Sequence, residues 1–426
     1  MRNKIALTAM ASVGFLAICG AAQAQETTTT WKGAPQFAND TLTFKVRGRV
    51  YYDVVSQDVD FANPAAADVS TMTSRLRTAR LGVEGTWNQN WAYKAEASIS
   101  SGGGTTAWED LILEYKPNDQ TSIMVGNYKS TGFENISSSR YNTFMERGPF
   151  NDVMDNGRVM TASAKMNGEN WSIAGFVHGD SVNSADPAIG SSEQFGYGVR
   201  GHYLPINGDA TKLYLGGSVR MRDRGKGGAG LFNYQVRNNT NYGNRYVSTG
   251  AIGDKDSQYA AEFLLIHKQF SLQSEYVLID AERANGVSHD INAYYVQASW
   301  FPTGEMKNVD VKKGELGRTK ILNPMTAGGF GAVELAVRYD NVDLSEAFTQ
   351  AVVAPLPAAA AVSPLAGEYS AVTVGATWYP FPYVRFMVNY TDSDNDLTPI
   401  ALAAPAIPVN PDVSVKTLQF RAQYDF

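Results

Sequence analysis

Cysteine is almost absent from this sequence of 426 residues, with Cys19 as its single example. Cys19 lies in an N-terminal segment that we predict to be removed, so no disulfide, thiolate metal site or cysteine nucleophile would remain. Histidine is also scarce, and its four positions lack the close spacing of metal ligands. They are His178, His202, His267 and His289. We therefore expect no metal and no cofactor, and a fold held together by packing and hydrogen bonding.

Long apolar runs are missing from the body of the chain. No stretch after residue 24 approaches the roughly 18–20 uninterrupted apolar residues of a membrane-spanning helix. The N-terminus is different, because Arg2 and Lys4 precede a mostly apolar run that ends before Ala22-Gln23-Ala24. This pattern predicts a secretory signal peptide over residues 1–24, cleaved after Ala24. A lipoprotein signal ending at Cys19 is the alternative, but bulky Ile18 stands where such signals carry a small residue.

An excess of positive charge is also absent. Without Arg2 and Lys4 the chain keeps 34 basic and 42 acidic residues, a net charge of −8. This balance gives no indication of nucleic-acid binding. A pathway for anions remains possible, because the local placement of charge matters more than its sum.

What the chain does contain is alternation of apolar and polar residues with a period of two. In Thr417–Phe426, one face would carry Leu418, Phe420 and Tyr424, and the other Gln419 and Arg421. Such segments predict strands whose two faces meet lipid and a polar lumen. The sixteen predicted strands lie near residues 41–57, 73–86, 91–100, 107–115, 121–128, 158–166, 170–178, 194–204, 211–222, 256–267, 269–279, 289–301, 329–344, 367–380, 383–391 and 415–426.

The connections support a membrane barrel independently. Short connections with turn residues, such as Asn88-Gln89-Asn90 and Phe381-Pro382, alternate with long ones. The predicted long loops are 129–157, 223–255, 345–366 and 392–414. This rhythm is typical of barrels with short periplasmic turns and longer external loops. One connection, 302–328, is long where a short turn is expected. The alternative is a soluble β-sandwich, jelly roll or propeller, which also alternates but lacks this rhythm.

We therefore predict an all-β protein in which residues 25–40 form a short N-terminal segment and residues 41–426 form an antiparallel transmembrane barrel. A signal peptide and a barrel together predict the outer membrane of a Gram-negative cell, with membrane lipid as one partner. No binding to nucleic acid is expected.

Several segments resemble a known family, the phosphate-selective porins O and P. They are Phe44-Lys45-Val46-Arg47-Gly48-Arg49, Arg77-Thr78-Ala79-Arg80-Leu81-Gly82, Val125-Gly126-Asn127-Tyr128 through Ser138-Ser139-Arg140-Tyr141-Asn142, Ala332 to Asp340, and Gln419 to Phe426. The resemblance spans nearly the whole chain after the signal peptide, and its most specific segment is 125–147.

The resemblance implies a sixteen-stranded, trimeric channel with loops folded into the lumen. By motif position, Arg140 corresponds to the basic residue at the family's constriction, where the phosphate-selective members carry lysine. Arg77 matches a basic position on the approach, and Thr78 departs from a paired one. The candidate anion path is completed by Lys129 and Arg147 on the same loop, by Arg220, Arg222 and Arg224, and by Lys313 in the exceptional turn.

The chemistry of these residues suits anions. A guanidinium group binds two oxygens of phosphate or carboxylate with its planar fork. Acidic groups such as Glu109, Asp110 and Glu114 would offset the basic ones and speed exit. The simpler interpretation of any one arginine is an ion pair on the barrel wall, and we favour it for Arg385 and Arg421.

Three functions follow as hypotheses. The first is passive diffusion of small solutes, especially anions such as phosphate. The second is a structural or adhesive barrel with a blocked lumen, which the long loops permit. The third is a membrane-embedded enzyme, which needs a nucleophile and a base within reach. Because no such constellation stands out, we expect a channel and not an enzyme.

Overall fold

The computed structural model describes residues 27–31, 33–64, 66–99, 106–155, 157–226, 230–347, 366–397 and 411–426. The predicted cleavage site, Cys19 and most of the predicted loop 345–366 lie outside these residues. No helix within them is both long and apolar enough to cross a bilayer. Their strands are, in chain order, β1 (Thr28–Trp31), β2 (Pro35–Ala38), β3 (Leu42–Phe61), β4 (Val69–Trp87), β5 (Trp91–Ile99), β6 (Thr106–Asn118), β7 (Thr121–Tyr128), β8 (Val159–Asn167), β9 (Trp171–His178), β10 (Phe195–Asn207), β11 (Thr211–Asp223), β12 (Phe232–Gln235), β13 (Ser248–Gly253), β14 (Lys255–His267), β15 (Phe270–Glu282), β16 (Ser288–Trp300), β17 (Asn308–Asp310), β18 (Glu315–Gly317), β19 (Ala332–Asp343), β20 (Gly367–Phe381), β21 (Val384–Leu397) and β22 (Val413–Asp425).

Two short helices lie between β7 and β8, α1 (Phe133–Ile136) and α2 (Phe150–Val153). Single 3-10 turns are formed by Met325–Ala327 and Ser345–Ala347.

Sixteen of the strands form one closed antiparallel barrel. They are β3 to β11, β14 to β16 and β19 to β22. The last strand pairs with the first, from Val413 opposite Phe61 to Asp425 opposite Arg49. Closure satisfies the backbone groups that a sheet edge would expose to lipid. The predicted sixteen-stranded barrel is confirmed.

The two ends of the barrel differ as the sequence predicts. At one end, six connections contain no more than three residues, and the turn at Asn88 and Gln89 uses the left-handed backbone of a tight hairpin. The seventh connection at that end is the exceptional one, residues 301–331. At the other end, the connection 283–287 is short where the rhythm predicts a longer loop.

The largest boundary error concerns β21, which was predicted to end near residue 391 but continues to Leu397. The prediction ended the strand too early because the acidic residues there indicated a loop. Asp392, Asp394 and Asp396 are exposed on the outward face and alternate with buried Ser393 and Asn395. The strand therefore keeps its period of two where its outward residues become charged.

The alternation of exposed and buried side chains on β22 shows which face of the strand points outward and which points into the lumen. Leu418, Phe420 and Tyr424 are exposed on the outer surface, whereas Gln419 and Arg421 are buried inside the barrel. This is the arrangement predicted from the sequence for lipid-facing and lumen-facing residues.

Three connections fold into the lumen. We call them loop 3 (described residues 129–155 and 157–158, with α1 and α2), loop 5 (described residues 224–226 and 230–254, with β12 and β13) and the turn hairpin (301–331, with β17 and β18). Together loop 3 and loop 5 bury apolar side chains against β15, β16, β19 and β20. This cluster includes Phe150, Val153, Met154, Phe232, Tyr234, Val247, Val277, Ile279, Ile291, Tyr295, Val342 and Tyr369.

The turn hairpin packs against loop 3 from the end with short turns. Val309 and Leu316 share an apolar cluster with Phe133 of loop 3 and Tyr214 of β11. The backbone N–H of Leu316 also donates to Ser137 Oγ at 2.9 Å. The exceptional connection therefore supports loop 3 inside the barrel.

Candidate functional site

The wall from β3 to β8 remains partly open to solvent inside the barrel. Several of its lumen-facing side chains are only half-buried, in contrast to those under loop 3 and loop 5. They include Lys45, Arg80, Glu84, Lys94, Glu114, Ser163 and Lys165. We call this side the open half of the lumen, and the side covered by the loops (β14 to β22) the packed half.

Two β-bulges aim additional charged groups into the open half. In β4, Tyr51 of β3 lies opposite Thr78 and Tyr52 lies opposite Leu76, so Arg77 is the extra residue. In β6, two residues, Glu109 and Asp110, occupy the space opposite a single residue of β5. A bulge re-aims side chains that regular alternation would separate.

Strand β7, which pairs with β6, has residues that accommodate the β6 bulge. Gly126 has φ of 141°, and a Cβ there would lie 1.8 Å from the carbonyl oxygen of Leu111. Only glycine fits this close approach. The side chain of Asn127 donates to the carbonyl oxygen of Glu109 at 2.6 Å, which satisfies a group that the bulge displaces.

A buried carboxylate organises the centre of the site. Glu96 on β5 has no exposed surface and lies near four guanidinium groups. Its oxygens lie 2.8 Å from Arg47, 3.0 Å from Arg49, 3.5 Å from Arg80 and 3.9 Å from Arg140. The Nε atoms of Arg49, Arg80 and Arg140 have no hydrogen-bond partner among the described residues. We call these five residues the Glu96 cluster.

The cluster extends along the wall through ion pairs of alternating sign. The carboxylate of Glu109 forms ion pairs with Arg80 at 2.7 Å and with Arg158 at 2.6 Å. Arg158 also binds Asp110 at 2.6 Å, and Asp110 pairs with Lys94. In the whole network the cations exceed the carboxylates. The cations are Arg47, Arg49, Arg80, Lys94, Arg140 and Arg158, and the carboxylates are Glu84, Glu96, Glu109 and Asp110.

Arg140 enters this network from loop 3. Its Nη2 donates to the carbonyl oxygen of Gly48 on β3 at 3.1 Å, and the side chain is 5 % exposed. Burial, together with the nearby charges of Arg49 and Arg47, lowers the pKa of the Arg140 guanidinium from its ordinary value. The tip of loop 3 thus lies inside the barrel against β3, as the inward-loop prediction requires.

Arg77 and the remaining basic residues of loop 3 hold the loop itself. Arg77 forms a two-pronged ion pair with Glu146 of loop 3, at 2.8 and 2.9 Å. Burial would raise the pKa of the Glu146 carboxyl, but Arg77 and Arg421 outweigh it and keep that pKa well below its usual range. Arg147 donates to the carbonyl oxygens of Glu134 and Ser137.

Lys129 stands at the root of loop 3, where its Nζ donates to Asn135 Oδ1 at 2.6 Å. Burial, with Arg147, Arg158 and Arg80 nearby, holds the pKa of the Lys129 ammonium well below its ordinary value. The lysine is therefore closer to losing its charge than a free lysine side chain.

The candidates on β11 lie apart from the Glu96 cluster. Arg220 donates to Gln258 Oε1 at 2.7 Å and to the carbonyl oxygen of Met154 in loop 3. Arg222 forms an ion pair with Asp256, and its guanidinium carbon lies 4.0 Å from the ring centre of Phe232 in loop 5.

The last two candidates also stand outside the cluster. Arg224 pairs with Asp254, the last residue of loop 5. Lys313 is exposed on the turn hairpin, 3.6 Å from both Asp310 and Glu315. The structure therefore brings Arg140 of loop 3 together with arginines of the barrel wall and leaves Arg220, Arg222, Arg224 and Lys313 in separate groups.

Sequence reasoning left five cations of the network out of its candidate site, namely Arg47, Arg49, Arg80, Lys94 and Arg158. Arg47 and Arg49 alternate on the polar face of the first predicted strand, and this signal was present. Arg80 is three residues from Arg77, so strict alternation would send the two to opposite faces, and the β4 bulge brings both inside. Arg158 ends loop 3 without a motif of its own.

Comparison with known proteins was made for the whole chain. Residues 44–426 match the family described as phosphate-selective porin O and P. An uncharacterized protein of Caulobacter vibrioides is 26% identical over 373 residues, covering 85% of this chain and 71% of that protein.

Two solved structures are similar in fold. An anion-selective porin from Comamonas acidovorans has a TM-score of 0.53 at 14% identity, covering 90% of this chain and 100% of that one. The trimer form of OmpT from Vibrio cholerae has a TM-score of 0.50 at 11% identity, covering 91% and 100%.

Proposed function

Because this chain belongs to the phosphate-selective porin O and P family and is an outer-membrane porin, we propose that it conducts small anions, phosphate among them, in preference to cations. Solutes would pass through the open half of the lumen, between loop 3 and the wall from β3 to β8. The excess of cations over carboxylates around Glu96 is the observation that carries this proposal.

The electrostatics of the network favour attraction without trapping. Charges act more strongly on an ion in a narrow lumen with low-dielectric walls than in bulk water. A pore must also release its ion, so several moderate sites conduct better than one tight site. Glu96, Glu109 and Asp110 offset much of the positive charge. The proposed result is an anion preference rather than exclusive selection of one solute.

Phosphate fits the geometry because guanidinium forks bind its oxygens in pairs. The Nε atoms of Arg49, Arg80 and Arg140 have no hydrogen-bond partner among the described residues but are buried, so these three arginines would act on the ion through their charge. Lys129 and Arg147 on loop 3 would add positive charge beside the proposed path. Arg77 would do the same from β4, where that strand contacts loop 3. Arg220, Arg222, Arg224 and Lys313 would contribute charge at a distance, outside the narrowest region.

Assembly and export form part of the same proposal. A signal peptide over residues 1–24 would direct export. A homotrimer is proposed from the family resemblance and from the similarity in fold to OmpT, which was solved in a trimer form. Mass measurement in mild detergent should give three chains, and a monomer at all concentrations would contradict this.

A barrel with a blocked lumen is the second candidate, and the dense packing of loop 3, loop 5 and the turn hairpin favours it. Single-channel recording separates the two. Stepwise currents in planar bilayers are expected for a porin, whereas their absence in well-inserted protein would support the blocked barrel.

The selectivity test is the reversal potential in a tenfold KCl gradient. For the wild type, we expect a reversal potential with the sign of an anion-preferring pore. Arg140→Glu should move the potential toward cation preference, by about fivefold in permeability ratio for a charge effect of ~1 kcal/mol. Higher salt should weaken the preference, because screening shortens the reach of the charges.

Lys255→Glu is the matched control, since Lys255 is exposed on the outer face of β14 and pairs loosely with Asp223. This charge reversal outside the lumen should leave the potential unchanged. An unchanged potential in Arg140→Glu would remove Arg140 from the constriction.

A further inference from the structure

Several backbone carbonyl groups of loop 3 accept hydrogen bonds from arginines of the barrel wall. The acceptors nearest to Arg140 are the carbonyl oxygens of Ser139 and Asn142, on either side of Arg140 and Tyr141. Both accept from one side chain, Arg385 of β21, through Nη2 and Nη1 at 2.7 Å each. A single planar guanidinium group therefore spans the segment that carries Arg140.

This use of Arg385 differs from the one expected from the sequence. A wall arginine was expected to pair with a neighbouring carboxylate, but no carboxylate among the described residues lies within ion-pair distance of Arg385. The side chain is 2 % exposed. Burying an arginine without an ionic partner is costly, so the hydrogen bonds of its fork must offset that cost.

Two other arginines show the contrast. Arg421 on β22 donates to the carbonyl oxygen of Met145 but also forms a two-pronged pair with Asp53. Arg338 on β19 donates to the carbonyl oxygen of Glu146 and pairs with Asp340. Of these three wall arginines, Arg385 alone binds two carbonyl groups of loop 3 and forms no ion pair with a described carboxylate.

The other side of the same segment is held by β3. Arg49 donates to Ser139 Oγ at 2.9 Å, and Tyr51 lies 3.2 Å from the same hydroxyl oxygen. The tip of loop 3 is therefore fixed between β3 and β21. This leaves the Arg140 side chain directed at Gly48 and Glu96.

We propose that Arg385 is a positioning residue for ion selectivity, whose planar fork holds the tip of loop 3 so that Arg140 stays in the Glu96 cluster. The inference rests on the proposed anion preference and adds the residue that sets its geometry. Arg385 acts through Arg140 and does not itself need to contact the permeating ion.

Arg385→Lys tests the fork, because lysine keeps the charge but places its donors on one nitrogen without the planar geometry. We expect this variant to show greater open-channel current noise and a reversal potential shifted toward zero. Arg385→Met should show both effects more strongly. If Arg385→Lys matches the wild type in noise and in potential, the proposal is wrong.

A double-mutant cycle separates positioning from simple loss of charge. Residues that act independently have additive effects, whereas coupled residues do not. If Arg385 positions Arg140, the shift caused by Arg140→Glu should shrink to about twofold or less in an Arg385→Met background, because the side chain at position 140 is already displaced. Additive shifts would overturn the positioning role.

Arg283→Met is the matched control for loss of an arginine that binds a loop carbonyl. Arg283 donates to the carbonyl oxygen of Ala347 at 2.9 Å, in a connection away from loop 3. It should leave noise and potential unchanged, and thermal unfolding of every variant should confirm an intact barrel. If the wild-type potential has no anion-preferring sign, the proposed function fails. If Arg140→Glu shifts nothing, Arg140 does not set the selectivity and the positioning role fails with it. If Arg140→Glu shifts the potential while the Arg385 variants do not, only the positioning role fails.

Discussion

The two halves of the lumen are built from the same kind of strand but differ in what faces inward. In the open half, β8 alternates strictly, with Ser163 and Lys165 inside and Ala162 and Ala164 outside. In the packed half, β15 is apolar on both faces in its C-terminal part. Val277 and Ile279 point inward there and are fully buried under the loops.

This difference shows how the chain directs its loops. An apolar side chain facing a water-filled lumen is unfavourable, so Val277 and Ile279 are stable only when something covers them. The apolar residues of α2 and of the β12–β13 hairpin supply that cover. Between β4 and β8, several charged lumen-facing side chains, such as Lys94 and Lys165, remain in partial contact with solvent instead.

The strongest test of this comparison introduces the same charge into each half. Val153 of α2 is fully buried in the packed half. Val153→Asp would place an unpaired carboxylate there, at a cost of several kcal/mol. Loop 3 should detach locally, so we expect a higher and noisier single-channel conductance with reduced anion preference.

Met124→Asp is the matched change in the open half, since Met124 lies on the lumen face of β7 opposite Glu114 and is half-buried. Its carboxylate would stay hydrated, so the conductance steps should remain quiet. The comparison fails if both substitutions disturb the recordings equally. Val153→Ala should act in the same direction as Val153→Asp, but more weakly.

The second prediction sharpens the account of charge in the open half. Glu109 offsets Arg80 and Arg158, so Glu109→Gln should increase the anion preference, by about fivefold for a charge effect of ~1 kcal/mol. The reversal potential in a KCl gradient measures this change. Asp394→Asn, which neutralises an exposed carboxylate on the outward face of β21, should have no effect. A fall in anion preference for Glu109→Gln would contradict the proposed network.

Most of the barrel could be predicted from the sequence, because alternation depends on neighbouring residues alone. The bulges could not, since an extra residue such as Arg77 is recognised only from the pairing of two strands. The doubly apolar segment Tyr276-Val277-Leu278-Ile279 was a visible signal for a loop docked inside the lumen. Nothing local indicates that Arg385 binds carbonyl groups more than 240 positions earlier in the chain.

The smallest expected effect concerns pH and Lys129. Because the pKa of the Lys129 ammonium lies well below its ordinary value, its charge is lost at a lower pH than for a free lysine, about 10.4. Raising the pH from neutral toward that value should remove positive charge beside loop 3 and reduce the anion preference. The reversal potential should fall with pH in the wild type and change less in Lys129→Met. Equal pH profiles would show that Lys129 does not titrate in this range.

The division of the lumen can be tested most directly by cysteine accessibility. Cys19 is the only native cysteine, so a variant without it would carry just the introduced thiol. Ser163→Cys lies on the open half and Ala293→Cys on the packed half, where Ala293 is fully buried. An anionic methanethiosulfonate reagent should modify position 163 rapidly, faster than its cationic analogue, and should leave position 293 unreacted. Equal modification at both positions, or faster reaction of the cationic reagent at 163, would contradict the account.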